Sequence, residues 1–271
     1  EDALNGLKWL EAHGLRNTEV ALFYNHPSRK DDSAVENHED MNLWHGASKN
    51  MLGFEAGPGH QNQSDPGTYK GRFSTIDRWD PVITQIGGTW DKLLAEGNNI
   101  WAALATSDFH NYNMDYYPCE FSRTHIFVPE NTAEGVLQAL HAGSFWADHG
   151  QLLQKFDFFA YAKGLQFPAT PGETIAAGSD NIIDVYAEVE FSPSLDNSNI
   201  EAELISNCGT GTAESIKIIP LDVNKKRVSW KLQNTVAGKD GKSCYVRSRI
   251  RKKIPDGSDL LAYSNPIRIL L

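Results

Sequence analysis

The amino-acid sequence predicts two architectures in one chain: an α/β region over residues 1–155 and an antiparallel β-sandwich domain over 156–271. Three observations carry this prediction. Up to about residue 150, short apolar runs alternate with segments of helical period, the pattern of layered α/β structure. From about residue 156 the apolar residues recur at a period of two, in short runs set off by turn residues. Chemistry-bearing residues divide at the same place. All nine histidines precede residue 150, and residues 1–150 hold 10 Lys+Arg against 21 Asp+Glu, whereas residues 151–271 hold 15 against 14.

In the first region Leu4, Leu7, Trp9 and Leu10 place an apolar stripe on a helix from Glu1 to His13, which Gly14 ends. Val20-Ala21-Leu22-Phe23-Tyr24 forms a buried strand. A polar stretch from Ser28 to Asn42 leads to a short strand, Met51-Leu52-Gly53-Phe54-Glu55, and then to a Gly/Asn/Gln/Pro-rich connection from Gly57 to about Gly71. Thr89 caps a helix carrying Trp90, Leu93 and Leu94 that stops at Gly97. Ile100 to Ala105 is an apolar run of the length of a buried parallel strand, and Thr124 to Val128 is a further strand. Asn131 or Thr132 then caps a helix with Val136, Leu137 and Leu140 on one face, closed by Gly143.

In the second region the strand runs are Ile182 to Phe191, Ile200 to Ile205, Ser215 to Ile219, Arg227 to Leu232, Cys244 to Ile250 and Pro266 to Leu270, and no helix is needed. Cys208 and Cys244 fall at predicted strand ends. They form either a disulfide, which implies an oxidising compartment, or two small buried thiols. Arg247, Arg249 and Arg251 alternate onto one strand face, as a solvated face or an anion site.

Several classes are excluded or disfavoured. No stretch approaches the roughly 18 uninterrupted apolar residues of a membrane helix, so no membrane partner is expected. A strongly acidic first region disfavours nucleic acid as a partner but favours cations. The chain opens on Glu1-Asp2-Ala3-Leu4, in mid-alternation and without Met, so the expectation is a fragment or a processed form that has lost an upstream segment.

Three segments place polar ligand types directly after an apolar strand. In Asn25-His26-Pro27 the proline holds His26 extended at a strand end, as a rim ligand or as an ordinary hydrogen-bonded rim residue. In Glu55-Ala56-Gly57-Pro58-Gly59-His60, glycines bring backbone close to a bound group with Glu55 and His60 on either side of the turn; a plain Gly-Pro-Gly turn is the alternative. In Ser107-Asp108-Phe109-His110-Asn111, an extended backbone puts Asp108 and His110 on one face, where they chelate a metal ion or pair with each other.

The order of these segments, with Thr124-His125-Ile126-Phe127-Val128 and the helix ending Ala139-Leu140-His141-Ala142-Gly143-Ser144-Phe145-Trp146, resembles the later motifs of the PHP (polymerase and histidinol phosphatase) superfamily of metal-dependent phosphoesterases. The resemblance covers most of residues 1–150. It implies a partial distorted (β/α)7 barrel, a TIM-like arrangement, with divalent metal ions (zinc, manganese or iron) at the strand ends. By that resemblance His26, Asp108 and His110 are metal ligands, and His60 and Glu55 face the substrate or an outer metal. Arg29, three residues after His26, is placed to bind a phosphate oxygen in bidentate fashion. The family's opening His-x-His motif has no counterpart here, so an N-terminal segment is expected to supply the remaining ligands by association.

The expected function is therefore metal-dependent hydrolysis of a small phosphorylated substrate by metal-activated water, in a periplasmic or secreted protein. The rival is a non-enzymatic binding protein on a degenerate PHP-like scaffold, with a glycan- or protein-binding sandwich. Trp44, Trp79, Trp90 and Trp101 would be its aromatic platform.

Overall fold

Parallel pairing opens the chain's architecture in this computed structural model, which describes residues 2–13, 19–28, 34–58, 77–178, 180–196, 198–233, 235, 241–255 and 258–271. β1 (Leu22–Asn25) runs parallel to β2 (Met51–Glu55). Two parallel bridges, Gly53 to Trp101 and Gly57 to Ala105, add the segment 101–105 on the other edge of β2. The approach is too close for a side chain. A Cβ on Gly53 would lie 1.8 Å from the Trp101 carbonyl oxygen, and one on Gly57 would lie 2.7 Å from both the Ala105 Cβ and the Trp79 ring.

Helices pack on these strands. α1 (Asp2–Ala12) contacts α2 (Ala34–Ala47), and α2 contacts β2 and α4 (Thr89–Ala95), with the short α3 (Pro81–Thr84) beside α4. Met41, Phe54, Trp79, Trp90, Leu93 and Ile100 form the centre of this core. Gly88, not Thr89, is the N-cap of α4; Asp91 instead reaches back to accept from the Gly87 amide at 2.8 Å.

β3 (Ser122–Ile126), α5 (Ala133–Ala142) and β4 (Phe145–His149) follow. The Thr132 side chain caps α5 by accepting from the Gly135 amide at 3.0 Å, and Gly143 closes it with a left-handed φ of 73°. β5 (Leu153–Ala162), β6 (Thr174–Ala176), β7 (Ile182–Phe191), β8 (Ile200–Ser206), β9 (Glu214–Leu221), β10 (Arg227–Gln233), β11 (Ser243–Lys252), β12 (Leu260–Ser264) and β13 (Ile267–Leu270) complete the chain. β10, β7 and β5 make a three-stranded sheet. An eight-stranded sheet runs β3-β4-β12-β11-β13-β6, with β8 on β11 and β9 on β8. Trp146, Phe156, Phe158, Val185, Leu204, Ile250 and Ile267 belong to one core shared by the two sheets. The Cys208–Cys244 disulfide is formed and buried within it.

These elements correct the expectation of a (β/α)7 PHP-like, TIM-like barrel. Among the described residues five short helices stand against thirteen strands, and no ring of strands closes. The physical reason lies at β3–α5–β4. Apolar periodicity reports which face is buried, not the direction of the next strand, and β4 returns antiparallel to β3 before pairing with β12 in the sandwich sheet. No helix among the described residues is long and apolar enough to cross a membrane.

Candidate functional site at the strand exits

β1, β2 and the 101–105 segment run in one direction, so their carboxyl ends reach the same rim, the place where open α/β sheets collect ligands. Glu55 ends β2 and is only 2% exposed. One of its carboxylate oxygens accepts from the His26 backbone amide at 3.1 Å, and the other accepts from the Thr106 hydroxyl at 2.5 Å. The three strand exits therefore meet on one carboxylate. Burial pushes the Glu55 carboxyl above its ordinary value; the Thr106 bond and the His26 charge oppose this, and the Asp108 charge adds to it.

His26 and Asp108 both adopt left-handed backbone, with φ of 32° and 48°. Pro27 therefore does not hold His26 extended as the sequence predicts. A non-glycine residue in that region costs of order 1 kcal/mol or more, and such strain gathers at functional positions. Here it turns two strand ends sharply over Glu55.

Asp108 and His110 likewise do not share the face of an extended segment. The His110 Nδ1 turns back to the Asp108 carbonyl at 2.5 Å, and lies 3.6 Å from the Asp108 carboxylate. Asp115 clasps the loop by accepting from the His110 and Asn111 amides at 2.6 and 2.5 Å. The two residues are neighbours, with His110 largely in solvent at 68% side-chain exposure.

The expected metal centre also needs correction. Among the described residues no group of three or more His, Cys, Asp or Glu side chains is gathered closely enough to hold a metal ion. Chemistry explains the shortfall. Both Glu55 oxygens accept hydrogen bonds within the protein, and one His110 ring nitrogen is spent on its own turn. The described donors at the rim do not by themselves assemble a metal site. His60 and Arg29 lie outside the described residues.

Most other histidines serve the fold. His38 bonds Glu96, His45 the Met51 carbonyl and His141 the Val20 carbonyl. His125 stacks on Trp146 at 3.7 Å and bonds Asp148 at 3.1 Å. Trp79, Trp90 and Trp101 are buried and Trp44 is half-buried against Tyr24, so they form core rather than an aromatic platform. The three arginines of β11 face carboxylates: Arg247 pairs with Asp91 at 2.8 Å, Arg249 with Glu203 at 2.5 Å and Arg251 with Asp259 at 3.6 Å.

Sequence reasoning passed over the residues that hold the rim in place. Thr106 supplies the hydroxyl on Glu55. Asp80 caps α3 and accepts from the Ser28 amide at 2.9 Å, tying the chain just past His26 to the helix start; an aspartate directly before a proline at a helix start was the available signal. Asn265, wholly buried, accepts from the Ala102 and Ala103 amides and donates to the Gly143 and Phe145 carbonyls, clamping the 101–105 segment to the turn between β12 and β13. No local pattern marks such a long-range amide.

Comparison with protein-family models and with curated proteins returned no match to this chain.

Proposed function

We propose that the strand-exit rim is the reaction centre of a phosphate-ester hydrolase, with Glu55 as its proton-holding group. The observation that carries this reading is the meeting of three strand exits on one buried carboxylate. A carboxyl in that setting keeps its proton closer to neutral pH than a solvated one, and so can deliver a proton to a leaving oxygen or take one from water. Thr106 orients the carboxyl, and the negative charge of Asp108 nearby helps keep the proton on it. The class of substrate rests on the resemblance of the His26, Glu55 and Asp108 segments to phosphoesterase motifs. The buried disulfide accords with a periplasmic or secreted location.

The test is turnover of p-nitrophenyl phosphate and bis(p-nitrophenyl) phosphate by the full chain and by Glu55→Gln. Each is assayed with EDTA and with added manganese or zinc, so that any metal requirement is read separately. The reading predicts measurable hydrolysis of at least one ester, lowered by roughly 10²-fold or more in Glu55→Gln. It is overturned if neither ester is cleaved under any of these conditions, or if the variant is as active as the parent.

A further inference from the structure

A cavity of about 420 Å³ opens between the α5 ends of β3 and β4, in the eight-stranded sheet, and β5 of the three-stranded sheet, within the usual size range of small-molecule pockets. Its apolar walls are Phe127, just past β3, Phe159 on β5, and Pro168 and Pro171 on the segment that folds back along β5 through the Ala160–Ala169 pair. Asp157 and Ser144 bring polar groups to it.

Part of the wall is held by its neighbours. The Phe159 ring stacks on Tyr186 at 5.0 Å with 16° between planes, and the Arg227 guanidinium lies over both rings at 5.4 and 4.8 Å. Thr170, also at the cavity, is fixed by Glu173, which accepts from its amide at 2.7 Å and its hydroxyl at 3.0 Å. The Asp157 carboxylate lies 2.6 Å from the Lys155 ammonium and remains 34% exposed, with oxygen lone pairs to offer. Phe127 is 47% exposed, a large apolar ring at a cavity wall.

We propose that this cavity binds a small neutral saccharide of one or two rings, its apolar C–H face against Phe127 or Phe159 and its hydroxyls on Asp157 and Ser144. Size and charge select this occupant. The volume excludes a folded partner. A wholly apolar ligand would strip water from Asp157 and Ser144 and give no hydrogen bond in return. An anion would meet Asp157, with Glu188 and Glu190 close enough on β7 to act on Lys155. A cation would compete with Lys155, which already covers the carboxylate. A sugar presents an apolar face and a hydroxyl rim at once, as the cavity does. The proposal is independent of hydrolysis at Glu55.

The experiment is calorimetric titration of the full chain with cellobiose, maltose and diacetylchitobiose, with choline as the cationic control. The variants are Phe127→Ala, Asp157→Asn and Glu55→Gln, together with Phe167→Ala, which removes a ring that is 71% exposed and not part of the cavity wall. The result expected is a dissociation constant on the order of 1 mM for at least one disaccharide. Binding weakens tenfold or more in Phe127→Ala and Asp157→Asn, and is unchanged in Phe167→Ala and Glu55→Gln. The proposal is overturned if no disaccharide binds at about 20 mM, if binding is the same in all variants, or if choline binds and the sugars do not.

Discussion

Buried charge is treated in opposite ways at the strand-exit rim and in the eight-stranded sheet. In and against the sheet, Asp91 faces Arg247 with both side chains 1% exposed, Glu203 faces Arg249, and Asp148 accepts from Arg123, His125 and the Leu153 amide. Burial alone would push the Asp148 carboxyl up, but its bonds to His125 and Arg123 outweigh this and hold it below the ordinary carboxylate range. At the rim Glu55 is just as hidden, yet it has a backbone amide and a hydroxyl for partners and like-charged Asp108 nearby, and its carboxyl rises. Where charge is matched, it organises structure; where it is left under-compensated, burial disfavours the ionised carboxylate, which is what the proposed proton-transfer role of Glu55 draws on.

The comparison breaks most readily at Asp91–Arg247. Arg247→Met strands a buried carboxylate that also accepts from the Tyr245 hydroxyl at 2.8 Å, and should lower unfolding free energy by about 3–5 kcal/mol in urea titration. A loss under about 1 kcal/mol would remove the pair from the structural side of the contrast. Next in size is the disulfide, which closes a 36-residue separation. Replacing Cys208 and Cys244 together by Ala should cost roughly 3–4 kcal/mol, measured in the same way without reductant.

The pH dependences of the two carboxylates sharpen the contrast because their signs differ. Asp148 is lowered in the fold, so its stabilisation is present above its ordinary value of 3.8 and is lost as pH falls through the folded value. Glu55 is raised, so the folded state binds more protons than the unfolded one between 4.5 and the folded value, and its contribution declines as pH rises through that window. Unfolding titrations at stepped pH should show the acid-side loss reduced in Asp148→Asn and the alkaline-going decline removed in Glu55→Gln. Slopes of the same sign for both would dissolve the distinction. The smallest effect is expected from Thr106→Val, which removes one hydrogen bond at the rim and should cost about 0.5–1.5 kcal/mol in the same unfolding assay.

What the sequence disclosed follows from what periodicity encodes. The run Ile182 to Phe191 coincides with β7 because inner and outer faces alternate along it, and Met51 to Phe54 and Ile100 to Ala105 are apolar because they lie between neighbours. α2, which begins within the polar stretch from Ser28 to Asn42, stayed hidden because its apolar residues do not gather on one face into a stripe. The barrel expectation failed at β3 and β4, where strand direction, not burial, was the question. At the rim the residue types were legible but their geometry was not. Left-handed backbone at His26 and Asp108 overrides both the bias of a following proline and the alternation of an extended segment, and it is held there by contacts with Glu55 and the 106–115 loop. Asn265 and Asp80 act across 162 and 52 residues of chain, beyond any local window.

Stability and turnover of Glu55→Gln, measured side by side at pH 7, test the central claim most directly. The account predicts that ester hydrolysis collapses while unfolding free energy holds or rises, the signature of a group kept for chemistry at the expense of the fold. A variant that keeps its turnover, or that loses activity and stability together, would contradict it.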